Sequence, residues 1–161
     1  VYSEVGKGTT FKIYFPLVCE PLDVRQRIDV SQAPAGTETI LLVEDESEVR
    51  EVAREFLGIS GYTVLEAKDG AEAIDLAKKY PGPIHLLVTD MVMPGIGGRE
   101  LVKQLGEERR DLRVIFMSGY TEYAVLQQGE LERGAVLLPK PFSREILAQT
   151  VRKVLEGKKA I

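Results

Sequence analysis

The sequence has little that would tie it to the cell exterior or to a membrane. It contains a single cysteine, Cys19, which excludes an intrachain disulfide and favours a reducing, cytoplasmic location. No apolar run approaches the ~20 residues that a membrane helix needs, and no signal-peptide pattern opens the chain. Because the first residue is Val1, we expect a piece of a longer protein, and a membrane anchor upstream in that protein stays open.

The chain also lacks a large excess of either charge. It has 21 Lys and Arg against 25 Asp and Glu, a net charge of −4, and the two signs are mixed along its length. Without a basic patch, we expect no direct contact with nucleic acid and no membrane contact by this fragment. The 161 residues, 44% apolar and 29% charged, are typical of one globular domain with an appendage.

Three zones and a short tail divide the chain. Residues 1–18 contain two glycines and then β-branched and aromatic residues over Thr9–Phe15, which predict a turn followed by one strand. Residues 19–37 are polar, contain prolines and have little periodicity, so they are predicted to be a linker. Residues 38–157 are predicted to form the folded domain, and residues 158–161 a tail.

Five apolar runs alternate with helical patterns in the predicted domain. The predicted strands are Ile40–Val43, Tyr62–Leu65, His85–Thr89, Val114–Met117 and Ala135–Leu138. Asp69 is predicted to cap the second helix, and another helix should begin near Thr121. We expect the first helix to bury Val52, among others, and the last to bury Ile146. Apolar strands joined by helices predict a parallel sheet covered on both faces, which is an α/β fold.

Polar side chains follow four of these strands, at the point where each strand ends. Glu44 and Asp45 follow the first strand, Asp90 the third, Ser118 the fourth and Lys140 the fifth. Because ligands bind beyond the carboxyl ends of the strands in such sheets, we expect these groups to converge there. Carboxylates 4 Å apart repel by about 4 kcal/mol at an effective dielectric of 20, so the cluster needs a cation unless its members are protonated. Oxygen ligands completed by water suit Mg²⁺.

Such a cluster can support a phosphoryl transfer. A carboxylate of Asp90 can attack a phosphoryl donor while the cation and Lys140 neutralise charge on the transferring oxygens. Ser118 can then donate a hydrogen bond to the product. His85 begins its strand at the opposite end of the sheet, so we expect it to be neither a metal ligand nor a phosphoryl donor.

Each of these residues also has a purely local interpretation. Asp45 with Glu48 forms a sequence pattern for a helix capping box, and Asp90 stands where a turn residue would. Ser118 precedes a glycine and can simply cap a helix, while Lys140 between two prolines can be a surface charge. Placement at four different strand ends is what favours a shared site.

Four segments together resemble the characteristic segments of response regulator receiver domains. They are Leu42–Glu46, Thr89–Gly95, Met117–Tyr120 and Lys140–Phe142, in the order and spacing of that family. The resemblance covers roughly Thr39 to Glu156. It implies a flavodoxin-like (βα)5 fold with five parallel strands in the order 2-1-3-4-5, and a place in a two-component phosphorelay.

The resemblance also implies how the transfer proceeds. Asp90 would accept a phosphoryl group from the phosphohistidine of a kinase or of a phosphotransfer domain, with Lys140 and Ser118 assisting. The Lys140–Pro141 peptide bond is implied to be cis, a form that is accessible before proline. Catalysis by this fragment would be limited to its own phosphorylation and dephosphorylation.

A metal site follows from the same resemblance. Asp45, Asp90 and the backbone carbonyl of Val92 would bind Mg²⁺, with Mn²⁺ as a substitute, and Glu44 would act through water. The sequence departs from the common pattern at Glu44, where Asp is more frequent in the family, and a water-mediated role tolerates the longer side chain.

A second departure concerns the conformational switch. Leu137 stands where many receivers have a Tyr or Phe, so coupling of Ser118 to an aromatic side chain is in doubt, and Tyr120 is an alternative partner. Tyr120 and Val92 are also predicted to flank the phosphoryl group. Homodimers are common in the family, but the sequence does not decide whether this chain forms one.

The opening zone has its own resemblance. Ser3–Phe11 looks like the last glycine-rich box of a histidine-kinase ATPase domain and the strand after it. This implies that residues 1–18 are the remnant of such a domain and that the parent is a hybrid histidine kinase. The rest of an ATP site is missing, so ATP binding is not expected. The alternative is a tag or an unrelated leader.

Two other classes of function compete with phosphoryl acceptance. A receiver-shaped interaction module that is never phosphorylated would be expected to lack the acidic pair, the acceptor or the lysine. An enzyme on a similar sheet is the other option. A phosphatase with an aspartate nucleophile needs a second aspartate two places later, and a flavin carrier needs a Ser/Thr/Gly phosphate loop, whereas Asp45 is followed by Glu46-Ser47.

Overall fold

The computed structural model describes residues 1–14, 36–119 and 135–157, and the structural statements below refer to these ranges. The domain contains five strands: β3 (Thr39–Val43), β4 (Thr63–Ala67), β5 (Leu86–Asp90), β6 (Arg113–Ser118) and β7 (Val136–Pro139). It also contains four helices: α1 (Ser47–Ile59), α2 (Gly70–Lys79), α3 (Gly98–Glu108) and α4 (Arg144–Glu156). The helix expected near Thr121 lies outside the described residues. None of the described helices has the length and apolar character that crossing a membrane requires.

The five strands form one parallel sheet. Its spatial order is β4-β3-β5-β6-β7, which is the order 2-1-3-4-5 along the five strands of the domain. The register aligns the carboxyl ends: Val43 pairs with Ala67 and Thr89, and Asp90 pairs with Met117. The predicted flavodoxin-like α/β fold is confirmed, and the residues that follow these strands share one edge.

Both faces of the sheet are covered, because the side chains of β3 alternate between two apolar clusters. Ile40 and Leu42 pack with residues of α1 and α4, whereas Leu41 and Val43 pack with residues of α2 and α3. All five residues of β3 are buried. Burying a large aliphatic side chain contributes roughly 1.5–3 kcal/mol, so this central strand is firmly held and the loop after it starts from a fixed point.

Two predicted core positions are wrong. Val52 in α1 is 44% exposed and Ile146 in α4 is 48% exposed. Each precedes a fully buried residue, Ala53 and Leu147 respectively, and consecutive helical residues point about 100° apart. The apolar side chain at the edge of each helical stripe therefore faces outward.

The opening zone is a small hairpin. β1 (Tyr2–Glu4) pairs antiparallel with β2 (Gly8–Thr10), and Gly6 and Gly8 in and after the turn have φ values of +81° and +98°. The strand predicted over Thr9–Phe15 is too long, because β2 ends at Thr10 and residues 11–14, which the structure also describes, are not in a strand. Its partner β1 has only three residues, which limits how far a ladder can extend.

The domain begins with a close packing contact. Gly36 is buried, and its N–H donates to the carbonyl oxygen of Ser60 at 2.9 Å. A Cβ at this position would overlap the ring of Tyr62, which is 6% exposed. Two residues on, Glu38 pairs with Arg152 of α4 at 2.8 Å. Glycine is required here because the chain crosses directly against an aromatic ring.

We predict that Gly36→Ala destabilises the domain. Because the added methyl group must displace a buried ring, the free energy of unfolding should fall by about 1–3 kcal/mol in urea denaturation. Gly58→Ala is the matched control, since a Cβ at this site in α1 meets nothing within 4 Å. That variant should be as stable as the wild type or more stable by about 0.5–1 kcal/mol. Equal midpoints for the two variants would contradict the packing argument.

Candidate functional site

Three carboxylates meet at the carboxyl edge of the sheet. Glu44 and Asp45 follow β3, Asp90 ends the neighbouring strand β5, and one oxygen of each lies within 4.8 Å of the others. Glu44 is fully buried and Asp90 is 7% exposed, whereas Asp45 is open to solvent. The convergence that the strand ends predict is therefore present for all three acids.

Lys140 joins this cluster from the end of β7. Its Nζ lies 2.6 Å from Oδ2 of Asp90 and 2.7 Å from Oε2 of Glu44. The backbone N–H of Lys140 donates to the carbonyl oxygen of Ser118, and the Lys140–Pro141 peptide bond is cis, as the resemblance implies. The interpretation of Lys140 as a solvated surface charge is wrong, because its side chain is 16% exposed and bridges two acids.

The charges of the cluster do not balance. Burial raises the pKa of Glu44 to about 7, although the hydrogen bond and charge of Lys140 act in the opposite direction. Burial alone would lower the pKa of Lys140, but hydrogen bonds to Asp90 and Glu44 outweigh it, and the net shift is upward. When all three carboxyls are ionised, they and the one ammonium group carry a net charge of −2, which a divalent cation would neutralise.

Ser118 contributes a hydroxyl group with unused bonding capacity. The residue ends β6, pairs with Pro139 and is fully buried. Its Oγ has no hydrogen-bond partner among the described residues. Buried polar groups are nearly always bonded, so this hydroxyl has the capacity to donate one more hydrogen bond at the edge of the sheet. Leu137, in the adjacent strand β7, packs beside a small cluster that contains Phe116, and Tyr120 lies outside the described residues.

The loop after Asp90 is shaped by its own backbone. The N–H of Val92 donates to Oδ1 of Asp90 at 3.3 Å, and the N–H of Gly98 donates to the carbonyl oxygen of Met91 at 3.1 Å. A Cβ at Gly98 would overlap the carbonyl oxygen of Asp90, so the first residue of helix α3 packs directly against the end of β5. The side chain of Val92 is 61% exposed. An exposed apolar residue therefore follows the carboxylate two positions later in the loop.

The capping-box interpretation of Asp45 is wrong. Helix α1 begins at Ser47, its N-cap is Glu46, and no side chain caps it. Asp69, by contrast, does cap α2 as predicted, since its Oδ1 accepts from the N–H of Glu72 at 2.8 Å. With no capping role, the exposed carboxylate of Asp45 is free to serve the cluster.

His85 lies where the sequence placed it, at the amino end of the sheet. It immediately precedes β5, and its Nδ1 accepts from the N–H of Thr39 at 2.9 Å. An imidazole bonded in this way at the far end of the strands belongs to the scaffold.

No pattern in the sequence predicted that Arg50 would contact the acidic loop. This residue of α1 donates from Nη1 to the carbonyl oxygen of Glu44 at 2.6 Å and, more weakly, to that of Asp45 at 3.4 Å. The only feature of the sequence that points to this contact is a basic residue placed about one helical turn after the acidic segment Glu44-Asp45-Glu46.

The donor set fits a divalent cation. Carboxylate oxygens are the ligands that Mg²⁺ prefers, and Mg²⁺ commonly keeps several waters, which suits a cluster with one exposed member. The residual charge of the three acids and Lys140 also matches. Asp45 and Asp90 would hold the ion from the ends of two adjacent strands, with Glu44 beside them.

A parallel five-stranded sheet with this acidic edge defines the receiver class of α/β domain, and comparison with known proteins agrees. The family model described as response regulator receiver domain matches residues 40–152. The chain belongs to this family, whose members serve two-component systems.

Relatives include both kinases and single-domain proteins. The sensor kinase CckA of Brucella abortus is 39% identical over an alignment of 162 positions, which covers 96% of this chain and 17% of the kinase. The sporulation initiation phosphotransferase F of Bacillus subtilis is 33% identical over 119 residues, which are 73% of this chain and 94% of that protein. The chain thus spans under a fifth of the kinase and nearly all of the smaller protein.

Solved structures share the fold. The crystal structure of the receiver domain from the hybrid histidine kinase CckA has a TM-score of 0.63 and 39% identity over 73% of this chain and 99% of its own. The chemotaxis response regulator CheY4 of Vibrio cholerae has a TM-score of 0.65 and 27% identity over 74% of this chain and 99% of its own. Each likeness covers about three quarters of this chain and nearly all of the other chain.

We predict that Glu44 destabilises the cation-free domain at neutral pH. Its carboxyl has a pKa of about 7 in the folded chain against an ordinary 4.5, so stability should fall as pH rises through this window. At about 1.4 kcal/mol per pKa unit, the loss approaches ~3 kcal/mol. In EDTA, urea denaturation should show this loss for the wild type and not for Glu44→Gln.

Glu48→Gln supplies the control, because Glu48 is an exposed glutamate of α1. Its pH profile should follow that of the wild type. Parallel profiles for the wild type and Glu44→Gln between pH 4.5 and 8 would show that burial of Glu44 is not what limits stability.

Proposed function

We propose that this receiver domain accepts a phosphoryl group on Asp90 from the phosphohistidine of a kinase or of a phosphotransfer domain. The proposal depends on Mg²⁺, with Mn²⁺ as a substitute, held by Asp45, Asp90 and the backbone carbonyl of Val92, and by Glu44 through water. The observation that carries it is the position of the Lys140 ammonium group, within 2.7 Å of both Asp90 and Glu44.

The transfer forms one bond and breaks one. A carboxylate oxygen of Asp90 attacks phosphorus, and the P–N bond of the phosphohistidine breaks with its electron pair left on the imidazole. Bound Mg²⁺ supplies charge neutralisation on the phosphoryl oxygens. The product is an acyl phosphate, which can carry up to two negative charges. The neighbouring donors must therefore accommodate more charge than the free carboxylate had.

Lys140 and Ser118 are suited to that task. Lys140 carries an ammonium group with three donors, two of which already point at acids of the cluster. Ser118 offers a buried hydroxyl that has no partner among the described residues, so it can donate to a phosphoryl oxygen without giving up another bond. Both groups stand ready before the phosphoryl group arrives, which limits the reorganisation that the transfer requires.

The parent protein is proposed to be a hybrid histidine kinase. Support comes from the similarity to CckA, which extends over 96% of this chain and therefore reaches the opening zone. In this proposal residues 1–18 are the end of an ATPase domain, 19–37 a linker, 38–157 the receiver and 158–161 a tail. A cytoplasmic location goes with that arrangement. Whether the receiver forms homodimers is left to experiment.

We predict that acetyl phosphate with Mg²⁺ labels Asp90. Mass spectrometry of the intact protein should show the mass of one added phosphoryl group, and this gain should disappear in EDTA or in Asp90→Asn. Asp75→Asn is the matched control, because Asp75 is an exposed carboxylate of α2 outside the cluster, and it should be labelled like the wild type. An unlabelled wild type that still binds Mg²⁺ would favour an interaction module that is never phosphorylated.

We predict that Val92→Asn shortens the lifetime of the phosphorylated domain by a few-fold. The exposed isopropyl group beside Asp90 limits the approach of water, whereas an amide of similar size would bind and orient a water molecule. Decay of the labelled protein, followed by mass spectrometry, measures the effect. Val52→Asn makes the same change at an exposed position of α1 and should leave the decay unchanged. Equal lifetimes for all three proteins would refute shielding by Val92.

A further inference from the structure

The loop that carries two of the acids is short and weakly anchored by itself. It consists of the three residues between the end of β3 and the start of α1, namely Glu44, Asp45 and Glu46. The N–H of Glu44 donates to the carbonyl oxygen of Ala67 at 3.2 Å, which fixes only the beginning of the loop. No side chain caps α1, so the usual anchor at the other end is missing. Two adjacent carboxylates add repulsion within the loop.

Arg50 supplies the missing anchor. Its guanidinium donates to the carbonyl oxygens of Glu44 and Asp45, at 2.6 and 3.4 Å, and its own N–H donates to the carbonyl oxygen of Glu46 at 2.9 Å. The side chain of Arg50 therefore holds the carbonyl groups of Glu44 and Asp45, whereas the bond to Glu46 is the ordinary first-turn bond of α1 and does not depend on the side chain. With its carbonyl groups turned towards Arg50, the loop presents the carboxylates of Glu44 and Asp45 to Asp90.

We propose that Arg50 is a positioning residue for the divalent-cation site, acting through the backbone of the loop and not through contact with the ion. The proposal rests on the proposed function, because it assumes that the cluster binds a cation. It assigns to Arg50 a role that its charge alone would oppose. A positive guanidinium near the site repels a cation, so the benefit must come from the geometry that it imposes.

Because the charge and the positioning role of Arg50 act in opposite directions, removing Arg50 distinguishes between them by whether Mg²⁺ binds more tightly or more weakly. If Arg50 acted only as a charge, its removal would tighten binding of Mg²⁺, since one repulsive term would be lost. If it positions the loop, removal should weaken binding, because the ligands must be ordered when the ion arrives. Residues that orient metal ligands are typically worth about 10–100-fold in affinity. We expect a loss at the lower end, about 10-fold, for Arg50→Met.

Titration calorimetry with Mg²⁺ and with Mn²⁺ on the whole chain is the first measurement. Arg54→Met is the matched control: Arg54 lies one turn further along α1 and pairs with Glu66, 3.7 Å away, with both side chains about half exposed. It removes the same charge from the same helix without touching the loop, so its affinity should stay equal or rise slightly. Arg50→Lys, which keeps a charge and a donor, should recover part of the loss. Unchanged or tighter binding by Arg50→Met overturns the proposal.

Amide hydrogen exchange in EDTA is the second measurement, and it needs no cation. The amides of Glu46 and Ser47 should exchange faster in Arg50→Met than in the wild type or Arg54→Met, and unchanged exchange there would overturn the positioning role. A wild type that binds neither ion, with its loop still loosened in Arg50→Met, would refute the proposed function and leave the anchoring intact. Should Arg50→Met fail to fold, Arg50→Gln replaces it in both measurements.

Discussion

The ammonium group of Lys140 lies between two acids that would otherwise repel each other. Glu44 and Asp90 follow adjacent strands, and their oxygens lie 2.7 and 2.6 Å from Nζ. Burial of Glu44 removes the water that would screen its charge, and this is why the pKa of its carboxyl rises to about 7 even beside a cation. One ammonium group is insufficient for three carboxylates. The edge therefore has an excess of negative charge, which suits a divalent cation.

The sheet explains why the acids come from β3 and β5 and the lysine from β7. Adjacent parallel strands are about 4.8 Å apart, so residues that follow β3 and β5 are neighbours without any long side chain. The last strand, β7, is separated from β5 by β6, and only a long side chain reaches across that gap. Lysine meets this requirement, and its N–H is fixed to the carbonyl oxygen of Ser118 at the end of the intervening strand.

Much of this arrangement is predictable from sequence because it depends on where apolar runs stop. Glu44 and Asp45 follow one strand, Asp90 ends a second and Lys140 follows a third, so a parallel sheet brings them together whatever the details of the loops. The errors arise where a local pattern leaves a choice. Helical spacing wrongly placed Val52 among the buried residues of α1. A residue at the edge of the apolar face is buried or exposed according to how the helix is rotated about its axis, and the spacing does not specify that rotation.

Arg50 illustrates a different limit. Its partners are backbone carbonyl groups, which carry no residue identity, so no pairing of side-chain types in the sequence points to them. Helix α1 begins at Ser47 with no capping side chain, whereas a capping box from Asp45 to Glu48 was the local alternative that the sequence left open. The carboxylate of Asp45 cannot both cap α1 and face Asp90, and in the structure it faces Asp90.

In the proposed function, the same shortage of positive charge would let the site respond to phosphorylation. In the resting domain Lys140 is shared between Asp90 and Glu44, and the hydroxyl of Ser118 has no described partner. A phosphoryl group on Asp90 adds negative charge and new acceptor oxygens within reach of both donors. Lys140 can then bond to phosphoryl oxygens only by loosening its contact with an acid, and Ser118 gains a bond that it lacked. Groups whose bonding is incomplete before modification are those whose rearrangement costs least, and the strand ends that carry them, β6 and β7, are where a structural response should begin.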